Sequence, residues 1–230
     1  MSSITFFAKR FLDGKELELG FYLSTILCNP KCNLAGILVS QILPMYWEKR
    51  GDTSYTLEPD PIYRPLYYVE MYANGRDFKE NTRIFLDNAA GHIEGCLLWL
   101  TKTPPRFRGS PKPFGGLVYE LFREGILEKE LAEQLLAFNK LFNIPAKHMT
   151  AYYRPRSRLD ERTFSCLDAA LGLMVMRKLS IELFKILTER GISLPQSWPD
   201  FDDDWLSPIW GTIESEEEDD NDETEQDEDN

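Results

Sequence analysis

The sequence predicts a mainly α protein, a helical bundle with long loops and a disordered acidic C-terminal tail. Apolar residues recur every three or four positions along several segments, which is the spacing of helices. Capping residues, glycines and prolines mark where those segments begin and end. The chain has 230 residues and 43% hydrophobic content, enough to build a packed core, and it carries neither an internal repeat nor a convincing β-hairpin signal.

The first two predicted helices should form a hairpin. Residues 16–28 and 34–47 have apolar helical spacing, and the Asn29-Pro30 turn separates them. Pro44 should bend or end the second helix, because its ring clashes with the preceding turn.

A polar loop and a long helix follow this hairpin. The loop spans residues 51–64, and residues 66–72 behind it should form a helix or a short strand. Asp77 and Glu80 have capping-box spacing, which predicts a helix that ends near Thr103. The apolar stripe of this helix is Phe85, Ala89, His92, Cys96 and Trp99.

Two shorter helices are expected in the C-terminal half. The proline-rich, basic residues 103–113 should form an extended connection. Residues 114–123 should form a short helix closed by Gly125, and residues 127–142 a second helix that Pro145 terminates.

A long helix should complete the bundle. Ser157 and Asp160 have capping-box spacing, which predicts that the helix begins there and continues through Phe164. Gly191 and Pro195 should close it.

The net charge of −12 lies at the C-terminus. Residues 214–230 hold twelve of the 38 acidic residues and no basic residue, so residues 1–213 are neutral overall. Self-repulsion and low apolar content predict that this tail is disordered. Residues 1–194 should be the helical-bundle domain, and residues 195–213 a Trp/Asp-rich segment that packs on the bundle or docks on a partner. Its aromatic anchors are Trp198, Phe201, Trp205 and Trp210.

The composition argues against a membrane or secreted protein. The longest apolar stretches are shorter than the roughly 20 residues of a membrane helix, and Phe6 and Phe7 precede Lys9 and Arg10, the reverse of a secretory signal. We therefore expect a cytoplasmic protein without membrane association, whose four cysteines are reduced thiols.

No cofactor and no metal are expected. The alternative is a small structural metal site, because zinc is held by His and Cys. Its ligands would be Cys28, Cys32, His92 and Cys96. For His92 we favour a hydrogen-bonded core histidine, since it lies on the apolar face of its helix.

Two basic loops are candidates for binding a polyanion. Lys147 and His148 follow a predicted helix and precede a cationic loop that contains tyrosines. The imidazole could transfer a proton, cations could stabilise phosphoryl charge, and tyrosines could stack on bases. Alternatively, Lys147 and His148 only cap the carbonyl end of the helix. The proposed nucleic-acid contacts are Lys102, Arg106, Arg108, Lys112, Tyr152, Tyr153, Arg154, Arg156 and Arg158.

Residues 139–148, between the long helices, resemble the end of the motif of the HEPN superfamily of helical-bundle domains. Asn143 matches the polar position and His148 the histidine, while Leu141, Phe142 and Asn143 stand where the family has an Arg. Many members are metal-independent ribonucleases in toxin, defence or stress systems. The resemblance implies a catalytic role for Asn143, Lys147 and His148 if activity is kept, or a non-catalytic relative that binds RNA or partner proteins.

The sequence is compatible with three functions. The first is a non-enzymatic interaction or regulatory protein that binds a basic partner protein through its Trp/Asp segment or acidic tail. The second is a single-stranded RNA-binding or ribonuclease module of the HEPN-like kind. The third is a small structural metal-binding protein.

Overall fold

The computed structural model of this chain confirms the mainly α class. It describes residues 3–29, 32, 34–43, 49–50, 54–55, 62–73, 78–101, 112–147 and 164–192. The elements are α1 (Ser3–Phe11), α2 (Gly14–Cys28), α3 (Leu34–Ile42), β1 (Lys49–Arg50), β2 (Ser54–Tyr55), α4 (Arg64–Ala73), α5 (Phe78–Leu100), α6 (Phe114–Arg123), α7 (Lys129–Phe138), a π-helical turn (Asn139–Asn143), α8 (Ile144–Lys147) and α9 (Cys166–Glu189).

Helix α9 lies at the centre of the described bundle. Residues 171–177, almost two full turns, are all buried, so this part of the helix has no solvent face. Helices α2 and α5 pack along it, and α1 and α7 make smaller contacts. A helix surrounded in this way is apolar around most of its circumference, with Arg177 as a buried charged residue, and its sequence therefore lacks the simple stripe of a surface helix.

Helices α2 and α9 run antiparallel. The C-terminal residue of α2, Cys28, is bonded to the N-terminal residue of α9, Cys166, with a Cα–Cα distance of 6.0 Å. Gly20 lies against Leu171 in the middle of the pair. At the far end, Glu16 forms an ion pair with Lys178 at 3.0 Å. The same pair of helices is therefore held by a covalent bond at one end and by charge at the other.

Helices α5 and α9 run parallel and approach closely. Near their N-terminal ends, the Thr82 hydroxyl donates a hydrogen bond to the Phe164 carbonyl at 3.0 Å. Gly172 then lies so close to α5 that a Cβ atom there would stand 2.3 Å from Leu86 Cδ2. The absence of a side chain at Gly172 sets this approach.

Several predicted helix ends are confirmed. Helix α3 ends at Ile42, before Pro44, and the aromatic segment after the polar loop is helical in α4. Gly125 and Gly191 close α6 and α9 with φ of 71° and 73°. In each case the glycine amide and the next amide bond back to the last turn, as in a Schellman motif.

Two predicted boundaries are wrong. Pro145 does not terminate the helix before it: the chain widens into the π-helical turn and then continues as α8, which contains Pro145. Helix α9 begins at Cys166, and its capping box is formed by Ser165 and Asp168. Phe164 therefore precedes the helix, and the box predicted at Ser157 and Asp160 lies outside the described residues.

Two elements differ from the sequence prediction. Helix α1 was not predicted, and it packs against α9. Strands β1 and β2 pair antiparallel, Lys49 with Tyr55 and Arg50 with Ser54, although no hairpin was expected. Each strand has two residues, too few for the alternation that identifies a strand in a sequence.

Within the described ranges, no helix combines the length and the apolar character needed to cross a bilayer. The Trp/Asp-rich segment 195–213 and the acidic tail 214–230 lie outside those ranges.

Candidate interaction surface

Helix α6 separates an apolar inner face from an aromatic outer face. Phe114, Leu117, Val118 and Leu121 are buried at the three- and four-residue spacing of one helix face. Tyr119 and Phe122 lie off that stripe, and they are 70% and 44% exposed. Since residues three apart on a helix are neighbours, these two rings form one exposed aromatic patch, the α6 patch.

The position of the α6 patch is set by the hairpin of α6 and α7. Gly125, in the left-handed region at φ 71°, reverses the chain between the two helices. The Phe114 ring packs on the Phe138 ring at 6.3 Å between centroids, which joins the far ends of the hairpin. Both ends of α6 are therefore fixed, and its outer face is held on a rigid element.

The hairpin of α6 and α7, which carries the α6 patch, is predominantly acidic. Residues 112–133 contain five acidic and three basic residues, a net charge of −2. Two of the basic residues are already paired, Lys112 with Glu120 at 2.7 Å and Lys129 with Glu133 at 3.8 Å. The exposed acids of this hairpin are Glu124, Glu128, Glu130 and Glu133. Exposed aromatic residues on an acidic hairpin have the chemistry to bind a basic surface.

The residues that resemble the HEPN motif lie on the π-helical turn and α8. Asn143 is 2% exposed, and its Nδ2 donates to Asn139 Oδ1 at 2.9 Å. Its own Oδ1 is buried and has no hydrogen-bond partner among the described residues. Lys147 is the last residue of α8, and His148 lies outside the described residues. Turns of π-helix are frequent at functional sites, but Asn143 faces inward here.

Among the predicted nucleic-acid contacts, only Lys112 lies within the described ranges. Its ammonium is paired with Glu120 at 2.7 Å, so its charge is partly neutralised within the chain. The other contacts lie outside those ranges, and they are Lys102, Arg106, Arg108, Tyr152, Tyr153, Arg154, Arg156 and Arg158. The predicted partner anchors Trp198, Phe201, Trp205 and Trp210 also lie outside them.

His92 is a buried core histidine, as its place on the apolar face predicted. It is 0% exposed, and its Nδ1 lies 2.7 Å from the Ile62 carbonyl oxygen. A carbonyl can only accept, so Nδ1 carries the proton and Nε2 accepts from the Cys96 thiol at 3.7 Å. Burial lowers the pKa of His92 from 6.5 to about 4, against the hydrogen bond to Ile62, which raises it. Burial also raises the pKa of the Cys96 thiol well above its usual range.

The four proposed metal ligands are not brought together. His92 and Cys96 contact each other in the core, whereas Cys28 is bonded to Cys166. Across the described ranges, no group of three or more His, Cys, Asp or Glu side chains is arranged to hold a metal.

The expectation that all four cysteines are reduced is wrong for Cys28 and Cys166. They are 138 positions apart in the sequence, so cysteine spacing gave no indication of the bond. The antiparallel packing of α2 and α9 places them together. Cys32 and Cys96 are free thiols, the first partly exposed and the second buried.

Helix α6 was predicted from the sequence, but its outer surface was not. The available signal was two aromatic residues, Tyr119 and Phe122, that lie off the stripe of Leu117, Val118 and Leu121. No protein-family description, curated protein or solved structure matches this chain.

Proposed function

We propose that this chain is a non-enzymatic, cytoplasmic interaction protein whose α6 patch binds a basic partner protein. The observation that carries the proposal is the exposure of Tyr119 and Phe122, 70% and 44%, side by side on a helix held by its hairpin. Tyrosine supplies both contact area and a hydrogen-bonding group, and it is enriched among the residues that dominate binding energy.

The charge distribution supports a basic partner. The net charge of the α6–α7 hairpin and the charge of the twelve acids of residues 214–230 have the same, negative sign. The tail would raise the rate of encounter with a cationic partner, while the aromatic patch would supply short-range affinity. The two parts would therefore act on different steps of the same association.

The burial of His92 and Cys96 supports a function without catalysis at these two residues. His92 is fully buried and hydrogen-bonded on both ring nitrogens, and Cys96 is fully buried beside it. A substrate in solution could reach neither group, and Asn143 is 2% exposed. His92 and Cys96 thus serve the core.

The test is partner capture by the full-length protein, followed by reconstitution with the purified partner. We expect a basic partner whose affinity falls at least tenfold in the double variant Tyr119→Ala/Phe122→Ala, which corresponds to about 1.4 kcal/mol or more. The matched control is Phe6→Ala, since Phe6 is an aromatic residue on another helix with 58% exposure. This control should keep wild-type affinity.

Two outcomes would overturn the proposal. One is a set of partners that the double variant binds as tightly as the wild type. The other is ribonuclease-sensitive capture, with RNA bound by the purified chain in a steeply salt-dependent manner, which would favour the RNA-binding alternative. In that case, loss of RNA cleavage in His148→Ala would identify a ribonuclease.

A further inference from the structure

Three of the four cysteines lie around the junction of α2 and α9. Cys28 ends α2 and is bonded to Cys166, which begins α9. Cys32 is a free thiol four positions after Cys28, and its amide donates to the Asn29 carbonyl at 3.1 Å. This hydrogen bond holds the Cys32 backbone beside Asn29, the residue that follows Cys28.

The exposure of these residues allows a thiol to attack one side of the disulfide. Cys28 and Cys32 are both partly exposed, whereas Cys166 is only 5% exposed. Exchange proceeds by attack of a thiolate on a disulfide sulfur, and its rate depends on access to that sulfur. Cys28 Sγ is therefore the more accessible target, and Cys32 is the nearest free thiol along the chain.

The helix ends determine which sulfur leaves. Cys166 is the first residue of the 24-residue α9, where the amides and the helix dipole stabilise a negative charge. Cys28 is the last residue of α2, where the dipole has the opposite sign. Asp168 lies in the first turn of α9 and reduces the advantage at Cys166, but its carboxylate is held by the capping box with Ser165. The geometry favours Cys166 as the leaving thiolate.

We propose that Cys28, Cys32 and Cys166 form a thiol–disulfide exchange site. The Cys32 thiol loses its proton to solvent, and its sulfur attacks Cys28 Sγ. The Cys28–Cys32 bond forms as the Cys28–Cys166 bond breaks, and the electron pair leaves on Cys166 Sγ, which takes up a proton. One disulfide and one thiol exist before and after the step, so no external oxidant or reductant is required.

The exchange changes which parts of the bundle are covalently joined. Before the step, the disulfide ties the start of α9 to the end of α2, across 138 positions of sequence. After it, the bond joins only Cys28 and Cys32, four positions apart in the sequence, and α9 is held to α2 by non-covalent contacts alone. In a reducing compartment, the disulfides that form are usually transient and catalytic or redox-sensing. A disulfide that can exchange within the chain is of this transient kind.

The experiment is alkylation of the native full-length chain without reductant. Trypsin separates the cysteines, because Cys28 falls on residues 16–31, Cys32 on 32–49, Cys96 on 84–102 and Cys166 on 163–177. We expect iodoacetamide to label Cys166 in the wild type, with a Cys28–Cys32 linked pair of peptides. Cys32→Ser should lose the Cys166 label. Cys96 is 0% exposed and should stay unlabelled, which reports that the chain is folded.

Each remaining outcome would overturn the proposal. If Cys166 stays unlabelled in the wild type while Cys32 is alkylated, exchange does not occur. If Cys32→Ser labels Cys166 as fast as the wild type, Cys32 is not the attacking thiol. If the native wild type yields neither Cys28–Cys166 nor Cys28–Cys32 linked peptides before alkylation, the site has no disulfide to exchange. The wild-type measurement is decisive by itself, so a variant that fails to fold does not weaken the test.

Discussion

The Lys178 ammonium lies 3.0 Å from the Glu16 carboxylate and joins the central helix α9 to the first turn of α2. The same carboxylate accepts the Asp13 amide at 2.8 Å, as half of the capping box that begins α2. The side chain of Glu16 is only 5% exposed, and the negative charge of Glu16 also acts on Arg177. Burial lowers the pKa of Arg177 to about 10, and Glu16 opposes this change.

Replacing Glu16 by Gln should therefore destabilise the protein by about 2 kcal/mol, because it leaves two cations without their buried counter-charge. The effect stays below the largest values for buried pairs, since the Lys178 side chain is 32% exposed and can reach water. The control is Glu182→Gln, which removes an exposed pair with Lys185 at 2.8 Å and should cost less than about 0.5 kcal/mol. Equal urea midpoints for the two variants would contradict the role of Glu16.

Gly172→Ala should destabilise the protein by about 1–3 kcal/mol through overpacking. The new Cβ would lie 2.3 Å from Leu86 Cδ2 and 3.2 Å from the Phe142 ring. Leu86 is 1% exposed, so it cannot turn out into solvent to make room. Gly14→Ala is the control, since no atom lies within 4 Å of its Cβ position. Thermal unfolding should leave this control within about 0.5 kcal/mol of the wild type.

His92 should make stability fall as the pH is lowered. Its pKa is 6.5 when unfolded and about 4 when folded, so the unfolded chain binds the proton more tightly. The contribution of neutral His92 to the free energy of unfolding is complete above pH 6.5. It is lost as the pH falls towards 4, by about 3 kcal/mol in total. Urea unfolding of the wild type and of His92→Gln at pH 7, 6, 5 and 4 measures this. The stability difference between the two chains should shrink by that amount, and a difference independent of pH would be inconsistent with a buried neutral His92.

Shortening a side chain to alanine should affect stability differently on the two faces of α6. Leu121→Ala should cost about 2–4 kcal/mol, because Leu121 is 0% exposed and its loss leaves a cavity. Tyr119→Ala should change stability by less than about 0.5 kcal/mol, because most of the ring is in solvent. Chemical denaturation of both variants distinguishes a binding surface from part of the core. A large loss of stability in Tyr119→Ala would instead show that the Tyr119 ring packs as part of the core.

Removing residues 213–230 should slow association with the basic partner without changing its dissociation. Exposed charges act mainly on the encounter rate, and salt screens them over about 8–10 Å. We therefore expect the association rates of the full-length chain and of a chain ending at Thr212 to converge as salt is raised. Stopped-flow or surface-binding kinetics at two salt concentrations measure both rates. A faster dissociation of the shortened chain would instead indicate that the tail lies in the bound interface.

The sequence predicted those parts of the fold that local chemistry controls. Gly125 and Gly191 end their helices as predicted, because the left-handed conformation is a local property of glycine. The start of α9 was assigned to the wrong capping box, since Ser157 with Asp160 and Ser165 with Asp168 have the same spacing. The local sequence pattern cannot distinguish two capping boxes of equal spacing. The hydrogen bond between Thr82 and Phe164, the residue before the observed box, is a tertiary contact that the local pattern does not contain.

The candidate site was harder to predict from the sequence than the helix ends. The burial of His92 followed from helical spacing, whereas the bond between Cys28 and Cys166 depends on how two distant helices pack. The α6 patch consists of aromatic residues outside the apolar stripe of α6. An apolar stripe in a sequence predicts which residues are buried, but it does not predict which exposed residues bind a partner. The exposure of Tyr119 and Phe122 in the structure is what identifies them as a candidate binding surface.

The π-helical turn at Asn139–Asn143 alters the rotational phase of the chain that follows it. Such a turn closes over five residues where an α-helix closes over four, so it offsets later side chains by about one residue, or roughly 100°. A helical wheel drawn without interruption from Lys129 to Lys147 would therefore assign Ile144 and Pro145 to the wrong side. Deleting one residue from the turn would restore the regular helical wheel and rotate α8 relative to α7. The number of residues in the turn therefore sets the orientation of α8.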